Sequence, residues 1–198
     1  MGAQLNYWPA IVFAFVMLCW LAFAAAFIFR SKPPATTESK RESASIFGIV
    51  LQMVGYALVW SLRRPIFTPI VAMNKSIEIA LAVLTMLIAA ASVLLIMSAV
   101  RVLGKQWSLT ARVVEEHKLI TAGPYKFVRH PIYTGMLGML LTTGLALSQW
   151  PALIIALIVF AVGTMIRVRS EEKLLRETFG AEYDAYAGRV NAVLPYIF

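Results

Sequence analysis

Two polar segments carry the side chains of this chain that could do chemistry. The first, Val113 to Tyr133, contains both histidines, and the second runs from Arg167 to Val193. Arg167 and Glu171 are four residues apart, so on a helix they would share one face. A guanidinium and a carboxylate directed together into a cleft beside His130 could hold an anionic group and a cationic or hydroxyl-bearing group.

The same side chains also have a purely structural interpretation, which residue types alone leave open. Arg129 and His130 would be a basic flank at a membrane interface, and the nearby tyrosines would belong to an aromatic belt. Arg167 and Glu171 would then be an ordinary surface ion pair, which contributes little stability.

Several other chemistries are excluded by the motifs that the sequence lacks. His117 and His130 do not form an H-E-x-x-H pair and Cys19 is the single cysteine, so we expect no metal site and no internal disulfide. Gly135 and Gly138 lie in an apolar run, without the strand that a nucleotide-binding loop requires. No serine lies in a nucleophile elbow. The basic residues are distributed over separate loops, which indicates lipid head groups rather than nucleic acid as their partners.

The composition indicates the environment of these segments. Of the 198 residues, 60% are hydrophobic and 14% are charged, whereas an average soluble domain has about 25% charged residues. Such a chain has too little polar surface to cover a globule of this size. A soluble enzyme is therefore excluded, and we expect a single membrane domain over residues 1–198.

Uncharged runs predict five membrane-spanning helices. Three of them are Tyr7–Phe29, Ser43–Leu62 and Ile79–Val100. A further uncharged run, 132–166, would measure about 52 Å as one helix, against a hydrocarbon core of roughly 30 Å. We therefore expect it to fold into a hairpin of two short spans that turns at residues 149–151.

The distribution of basic residues predicts the orientation. With five spans, only Arg63, Arg64 and Lys75 fall on one side of the membrane, and every other lysine and arginine falls on the opposite side. Under the positive-inside rule the side with more basic residues is cytoplasmic. We therefore expect a multi-pass protein of the cell membrane, with its N-terminus outside and the loop 101–131 and the C-terminus in the cytoplasm.

The hairpin should also bring the two polar segments together, because it returns the chain to the same membrane face. After the hairpin, Leu175, Phe179, Tyr183, Tyr186 and Val190 keep helical spacing with charges between them. This pattern predicts an amphipathic C-terminal helix, whose aromatic stripe we interpret as packing rather than ligand contact. The predicted fold class is thus an all-α integral membrane protein.

The order of motifs in the second half of the chain is more specific than any one of them. The motifs are His117-x-Leu-Ile, Gly123-Pro124-Tyr125, Arg129-His130-Pro131-x-Tyr133, Arg167-x-x-x-Glu171-Glu172 and Phe179-Gly180-x-Glu182-Tyr183. In this order they resemble the isoprenylcysteine carboxyl methyltransferase family, over roughly residues 110–198. Membrane phospholipid N-methyltransferases are similar as well.

The resemblance implies a membrane enzyme that transfers a methyl group from S-adenosylmethionine, leaving S-adenosylhomocysteine, to a lipophilic or lipidated acceptor from the bilayer. Three N-terminal helices in 1–100 would precede a cofactor-binding catalytic region in 101–198. The catalytic residues would be Arg167, Glu171 and His130, with Arg167 facing the acceptor, a carboxylate in the best-known members. The implied cofactor-binding residues are His117, Lys118, Leu119, Ile120, Tyr125, His130, Pro131, Ile132, Tyr133 and Glu171.

Three alternatives to a carboxyl methyltransferase remain open from the sequence. A phospholipid amine N-methyltransferase would use the same cofactor on another acceptor. An NADPH-dependent sterol-type reductase also shows an R-H-P-x-Y-like segment, although those enzymes tend to carry Asn where Ile132 stands here. A non-catalytic membrane scaffold with a basic cytoplasmic face would need none of these site residues.

Overall fold

The computed structural model describes residues 7–29, 40–41, 43–65, 67–69, 74–104, 112–113 and 119–194. The α-helices in these ranges are α1 Trp8–Ile28, α2 Ser43–Ser61, α3 Lys75–Leu103, α4 Pro131–Leu147, α5 Trp150–Phe179 and α6 Ala181–Ala187. A 3-10 turn covers Gly123–Lys126, and β1 Lys40–Arg41 pairs antiparallel with β2 Arg112–Val113. Apart from this two-residue pairing, the predicted helical fold is confirmed for the part of the chain that the structure describes.

Four of these helices, α1, α2, α3 and α5, are long and apolar enough to cross a membrane. The chain is accordingly a multi-pass membrane protein. Helix α4 is apolar but has 17 residues, which gives about 25 Å of length against a hydrocarbon core of roughly 30 Å. The crossing of the membrane by α4, and with it the count of five spans, stays a prediction.

The turn between α4 and α5 lies earlier than the sequence predicted. Helix α4 ends at Leu147, and α5 begins at Trp150 with Pro151 in its first turn. Proline is favoured there because the first backbone N–H groups of a helix have no partner within the helix. The turn is therefore Ser148–Gln149, and Trp150 and Pro151 belong to the helix.

Helices α4 and α5 contact each other at both of their ends. At the end of α4, a Cβ atom on Gly144 would lie 2.3 Å from Cδ1 of Leu153 near the start of α5. At the beginning of α4, His130 contacts Glu171 and Glu172 in the last part of α5. The two polar segments are neighbours, as the sequence predicted.

A buried glycine contact brings α2 against α5. A Cβ atom on Gly163 would lie 2.7 Å from the carbonyl oxygen of Gly48, and a Cβ atom on Gly48 would lie 2.5 Å from Cγ of Arg167. Small residues let helix backbones approach closely in a membrane, where van der Waals packing drives helix association. Helix α2 therefore lies directly beside the stem of Arg167.

Arg64, after the end of α2, holds the C-terminus of α4. Its Nη1 donates to the carbonyl oxygen of Ser148 at 2.5 Å, and its Nη2 donates to those of Leu145 and Ala146 at 2.7 and 2.9 Å. The last carbonyl groups of a helix have no partner within the helix, and a cation there also interacts favourably with the helix dipole. Arg64 thus ties the end of α4 to the segment that follows α2.

The predicted amphipathic C-terminal helix is not continuous, which corrects that part of the predicted fold. Gly180 has a φ of +52°, a left-handed conformation that ends α5 at Phe179 and precedes the short α6. Tyr183 and Tyr186 on α6 are buried, and their rings pack edge to face with centroids 6.2 Å apart. These two aromatic residues of the stripe pack inside the protein.

Candidate active site

The candidate site lies where the first turn of α4 meets the polar end of α5. His130 is the residue before α4, and its backbone N–H donates to the carbonyl oxygen of Ala192 at 2.8 Å. Pro131 then occupies the first helical position, where its missing N–H has no cost. This local geometry fixes the direction of the His130 imidazole and places Tyr133 one turn along the helix.

The imidazole of His130 lies between two carboxylates. Its Nδ1 is 3.3 Å from Oε2 of Glu171, and its Nε2 is 3.4 Å from Oε1 of Glu172. Burial alone would lower the pKa of His130, but hydrogen bonds with the two carboxylates raise that pKa above the ordinary histidine value. The two carboxylates therefore stabilise the protonated form of His130.

Tyr133 contributes a phenol and an aromatic face to the same cluster. Its hydroxyl donates to Oε1 of Glu171, and its ring stacks on His130 with centroids 5.6 Å apart. The phenol is thus a hydrogen-bond donor to the carboxylate, and the ring forms one wall of the site.

Arg167 is buried, with 5% of its surface exposed. Its Nη2 lies 3.6 Å from Oε1 of Glu171, and its guanidinium carbon lies 4.8 Å from the centre of the Tyr133 ring. The predicted common face of Arg167 and Glu171 is confirmed by this ion pair. A guanidinium is always charged and has five donors in a planar fork, which suits it to hold an anionic group.

Arg129 and Glu172 form a further ion pair beside the site. Arg129 donates to Oε1 of Glu172 through Nε at 2.9 Å and Nη2 at 2.6 Å. Through Nη1 it also donates to the carbonyl oxygens of Ala187 and Val190. The sequence assigned no role in the site to Arg129, although its position next to His130 was a usable signal. Arg129 ties the C-terminal segment to Glu172 and leaves Glu171 as the carboxylate between Arg167 and His130.

The predicted cofactor-binding residues before α4 are only partly within the described chain. Tyr125 is buried in the 3-10 turn, and its carbonyl oxygen accepts a hydrogen bond from the Tyr186 hydroxyl at 2.6 Å. Burial, and then the negative charge of Glu171, raise the pKa of Tyr125, so this phenol stays neutral. Leu119 and Ile120 are half-buried in irregular backbone. The predicted contacts of His117 and Lys118 lie outside the described residues.

Of the remaining predicted residues, Pro131 is buried and Ile132 is half-buried. A residue that the sequence analysis missed is Gln52 on α2, whose Oε1 accepts a hydrogen bond from Nη1 of Arg167 at 3.1 Å. It is the only amide side chain in α2, and that isolation in an apolar helix was the available signal. The site therefore contains residues from α2, α4 and α5.

The arrangement suits binding and orientation more than metal chemistry. Within the described residues, no group of three or more His, Cys, Asp or Glu could hold a metal ion. What the site offers is a buried guanidinium, an imidazole whose pKa is raised by the carboxylates beside it, and a carboxylate side by side. Such a set can hold a charged ligand of mixed sign in a place from which water is largely excluded.

The sequence of this region matches known proteins. A family model described as phospholipid methyltransferase matches residues 78–182, which is more than half of the chain and contains His130, Tyr133, Arg167 and Glu171. Residues Arg129 and Glu172 fall in the same range. Gln52 lies outside it.

Several curated proteins are similar over a shorter stretch. A probable protein-S-isoprenylcysteine O-methyltransferase of Oryza sativa subsp. indica is 37% identical over 83 residues, which is 42% of this chain and 44% of the relative. The protein-S-isoprenylcysteine O-methyltransferase of Saccharomyces cerevisiae is 37% identical over 82 residues, or 41% of this chain and 34% of the relative. The nickel-cobalt-cadmium resistance protein NccN of Alcaligenes xylosoxydans xylosoxydans is 39% identical over 83 residues, or 39% of this chain and 36% of the relative.

In each of these pairs the chain spans less than half the length of the curated relative that it matches. The first two names agree with the resemblance to isoprenylcysteine carboxyl methyltransferases that the motif order indicated. Because the family model covers more than half of the chain, the protein belongs to the phospholipid methyltransferase family.

Proposed function

We propose that this protein transfers a methyl group from S-adenosylmethionine to a lipophilic acceptor, most specifically to the carboxylate of an isoprenylcysteine-like molecule. The observation that carries the proposal is the cluster of buried His130, Tyr133 and Arg167 around the half-buried Glu171, which lies within the range matched by the family model. The two methyltransferase relatives described above support the reaction class.

The residues present fit S-adenosylmethionine. The cofactor carries two cationic groups, and the side chain of Glu171 keeps 24% of its surface exposed for a ligand while it faces His130 and Tyr133. Leu119 and Ile120 lie half-buried in irregular backbone before α4, and in the proposal their backbone N–H and C=O groups would bind polar groups of the cofactor.

We assign Glu171, His130, Pro131, Ile132 and Tyr133 to hold the cofactor at the start of α4. Tyr125 would line the pocket, and residues 117–120 would meet the cofactor largely through their backbone. When bound, S-adenosylmethionine supplies an electrophilic methyl carbon on a sulfonium. The protein's contribution is to align the acceptor with that carbon and to exclude water.

Arg167 would orient the acceptor. A carboxylate is already ionised at neutral pH, so its oxygen needs no general base. Charge-assisted hydrogen bonds from the guanidinium would hold the carboxylate in one position. The acceptor's hydrocarbon part would remain on the bilayer side of the site.

The orientation of the protein is part of the proposal. The basic residues of the loop 101–131 and of the C-terminal segment favour a cytoplasmic position for the site. We therefore infer that the cofactor reaches the site from the cytoplasm of the cell and the acceptor reaches it from the membrane.

The family model favours one second candidate, an amine acceptor on a phospholipid. An ammonium group must lose a proton before it can accept a methyl group, so His130 or Glu171 would have to act as a base. Both of these groups already face ionic partners. The buried Arg167 would also repel a cationic acceptor, which is why the carboxylate comes first in our proposal.

Methyl transfer from radiolabelled S-adenosylmethionine decides between these acceptors. The purified protein would be assayed with an S-prenylated cysteine, its carboxamide, phosphatidylethanolamine and a fatty acid. We expect label in the ester of the prenylcysteine and none in the carboxamide. Label in phosphatidylethanolamine alone would establish the amine candidate.

Thermal stabilisation separates the remaining alternatives. S-adenosylhomocysteine should raise the denaturation midpoint and NADPH should leave it unchanged. The opposite pattern would favour a reductase, and stabilisation by neither would favour a scaffold and contradict the proposal.

A further inference from the structure

Gln52 is a fully buried polar side chain on α2. A buried amide is costly unless it is hydrogen-bonded, and both ends of this amide are. Its Nε2 donates to Oγ1 of Thr164 at 2.8 Å, and its Oε1 accepts from Nη1 of Arg167 at 3.1 Å. The amide therefore joins α2 to two residues that are three apart on α5.

The direction of these two bonds is set by chemistry. A guanidinium has donors only, so Oε1 of Gln52 must face Arg167. The amide nitrogen must then face Thr164, whose hydroxyl oxygen can accept. Thr164 thus fixes the orientation of the amide, and the amide in turn fixes the position of Nη1 of Arg167.

The stem of Arg167 is also guided by α2. It passes Gly48, where a Cβ atom would lie 2.5 Å from Cγ of Arg167. The guanidinium is then contacted from three helices, by Gln52 on α2, by the Tyr133 ring on α4 and by Glu171 on α5. Of these three partners, Gln52, which accepts a hydrogen bond from Arg167, is the one that lies outside the range matched by the family model.

We propose that Gln52 is a positioning residue, which directs Arg167 toward the anionic group of the acceptor and thereby sets the preference for an anionic over a neutral acceptor. This inference rests on the proposed function, in which Arg167 binds the acceptor. It assigns a specificity-determining role to α2.

The test uses two variants and one matched control in the full-length protein. Gln52→Met keeps the approximate length of the side chain and removes both polar ends. Thr164→Val removes the hydroxyl that orients the amide. Tyr56→Phe is the control, because its hydroxyl makes a buried hydrogen bond from the same helix, but to the carbonyl oxygen of Met136 at 2.7 Å.

Two probes that differ in charge report on Arg167. N-acetyl-S-farnesylcysteine carries a carboxylate, and its carboxamide is the neutral analogue. The dissociation constant of each would be measured by calorimetry in detergent at saturating S-adenosylhomocysteine. KM and kcat would be measured separately with the carboxylate.

In Gln52→Met, the dissociation constant of the carboxylate should rise roughly tenfold, the equivalent of about 1.4 kcal/mol. The constant of the carboxamide should stay the same, and KM should rise more than kcat falls. Thr164→Val should show a smaller change in the same direction. Tyr56→Phe should keep the wild-type ratio of the two constants even if it lowers thermal stability.

An unchanged ratio in Gln52→Met and Thr164→Val would overturn the inference, as would an equal loss for both probes. If Gln52→Met fails to fold, Thr164→Val decides alone. Wild-type protein that binds S-adenosylhomocysteine but does not prefer the carboxylate would overturn this inference and leave the cofactor assignment intact. Wild-type protein that binds no S-adenosylhomocysteine and transfers no methyl group would overturn both proposals.

Discussion

The Nδ1 atom of His130 lies 3.3 Å from Oε2 of Glu171. This contact joins the residue that precedes α4 to the polar end of α5. Tyr133 donates to the other oxygen of the same carboxylate, so both oxygens of Glu171 have partners on or next to α4. Glu171 is thus the residue through which the two polar segments act as one site.

Replacement of Glu171 by Gln, or of His130 by Asn, should abolish measurable binding of S-adenosylhomocysteine, because each change breaks the contact that shapes the cofactor side of the site. Calorimetry on the purified variants measures this affinity. Glu182→Gln, an exposed carboxylate on α6, is the matched control and should bind normally. Normal affinity in the Glu171 variant would contradict the assignment.

Replacement of Arg167 by Met should have a different result. Affinity for S-adenosylhomocysteine should be kept, while kcat/KM with a carboxylate acceptor should fall roughly tenfold to a hundredfold, as expected for the loss of hydrogen bonds to a charged group. Steady-state kinetics with labelled cofactor measures the change. If both cofactor affinity and turnover were lost, Arg167 would bind the cofactor rather than the acceptor, which contradicts the prediction.

Stability should fall as the pH rises through the folded-state pKa of His130. That pKa is raised above the unfolded value of 6.5, because the imidazolium is held by Glu171 and Glu172 more strongly than burial disfavours it. The stabilisation is therefore fully present below about pH 6.5 and is lost as the pH passes the raised folded-state pKa. Denaturation midpoints measured across this window in detergent should decline in the wild type and decline less in His130→Asn. Parallel curves for the two proteins would contradict the prediction.

Replacement of Arg64 by Met should destabilise the protein by about 1.5–3 kcal/mol, the usual range for hydrogen bonds to a charged group. The reason is that the guanidinium satisfies carbonyl groups at the C-terminus of α4, including those of Leu145 and Ala146. Arg63→Met is the matched control, because Arg63 is adjacent and exposed. Equal denaturation midpoints for the two variants would show that the capping contacts contribute little.

Single cysteines should show whether α4 crosses the membrane. The native Cys19 would first be replaced by Ala, and exposed Lys126 and Gln149, before and after α4, would each be replaced by Cys. In intact cells a membrane-impermeant thiol reagent should label Gln149→Cys and not Lys126→Cys. Labelling of both positions from the same side would mean that α4 does not span the bilayer.

Much of the site could be predicted from local spacing. Arg167 and Glu171 are four residues apart on one helix, and helical geometry alone places them on one face. The proximity of His130 to Glu171 required one further step, that an uncharged run too long for one span folds back on itself. Both expected contacts, that of Arg167 with Glu171 and that of His130 with Glu171, occur in the structure.

The rest depended on how the helices pack. In a soluble helix, the alternation of polar and apolar residues shows which face is buried, but helices that contact lipid are apolar on every side and give no such signal. For that reason the sequence by itself determined that this is a multi-pass membrane protein whose polar chemistry is concentrated in two segments of its second half. The tertiary structure alone decided that α2 approaches α5 at Gly48 and Gly163, because a backbone contact there depends on the shape of both helices. That contact is what brings Gln52 to Arg167.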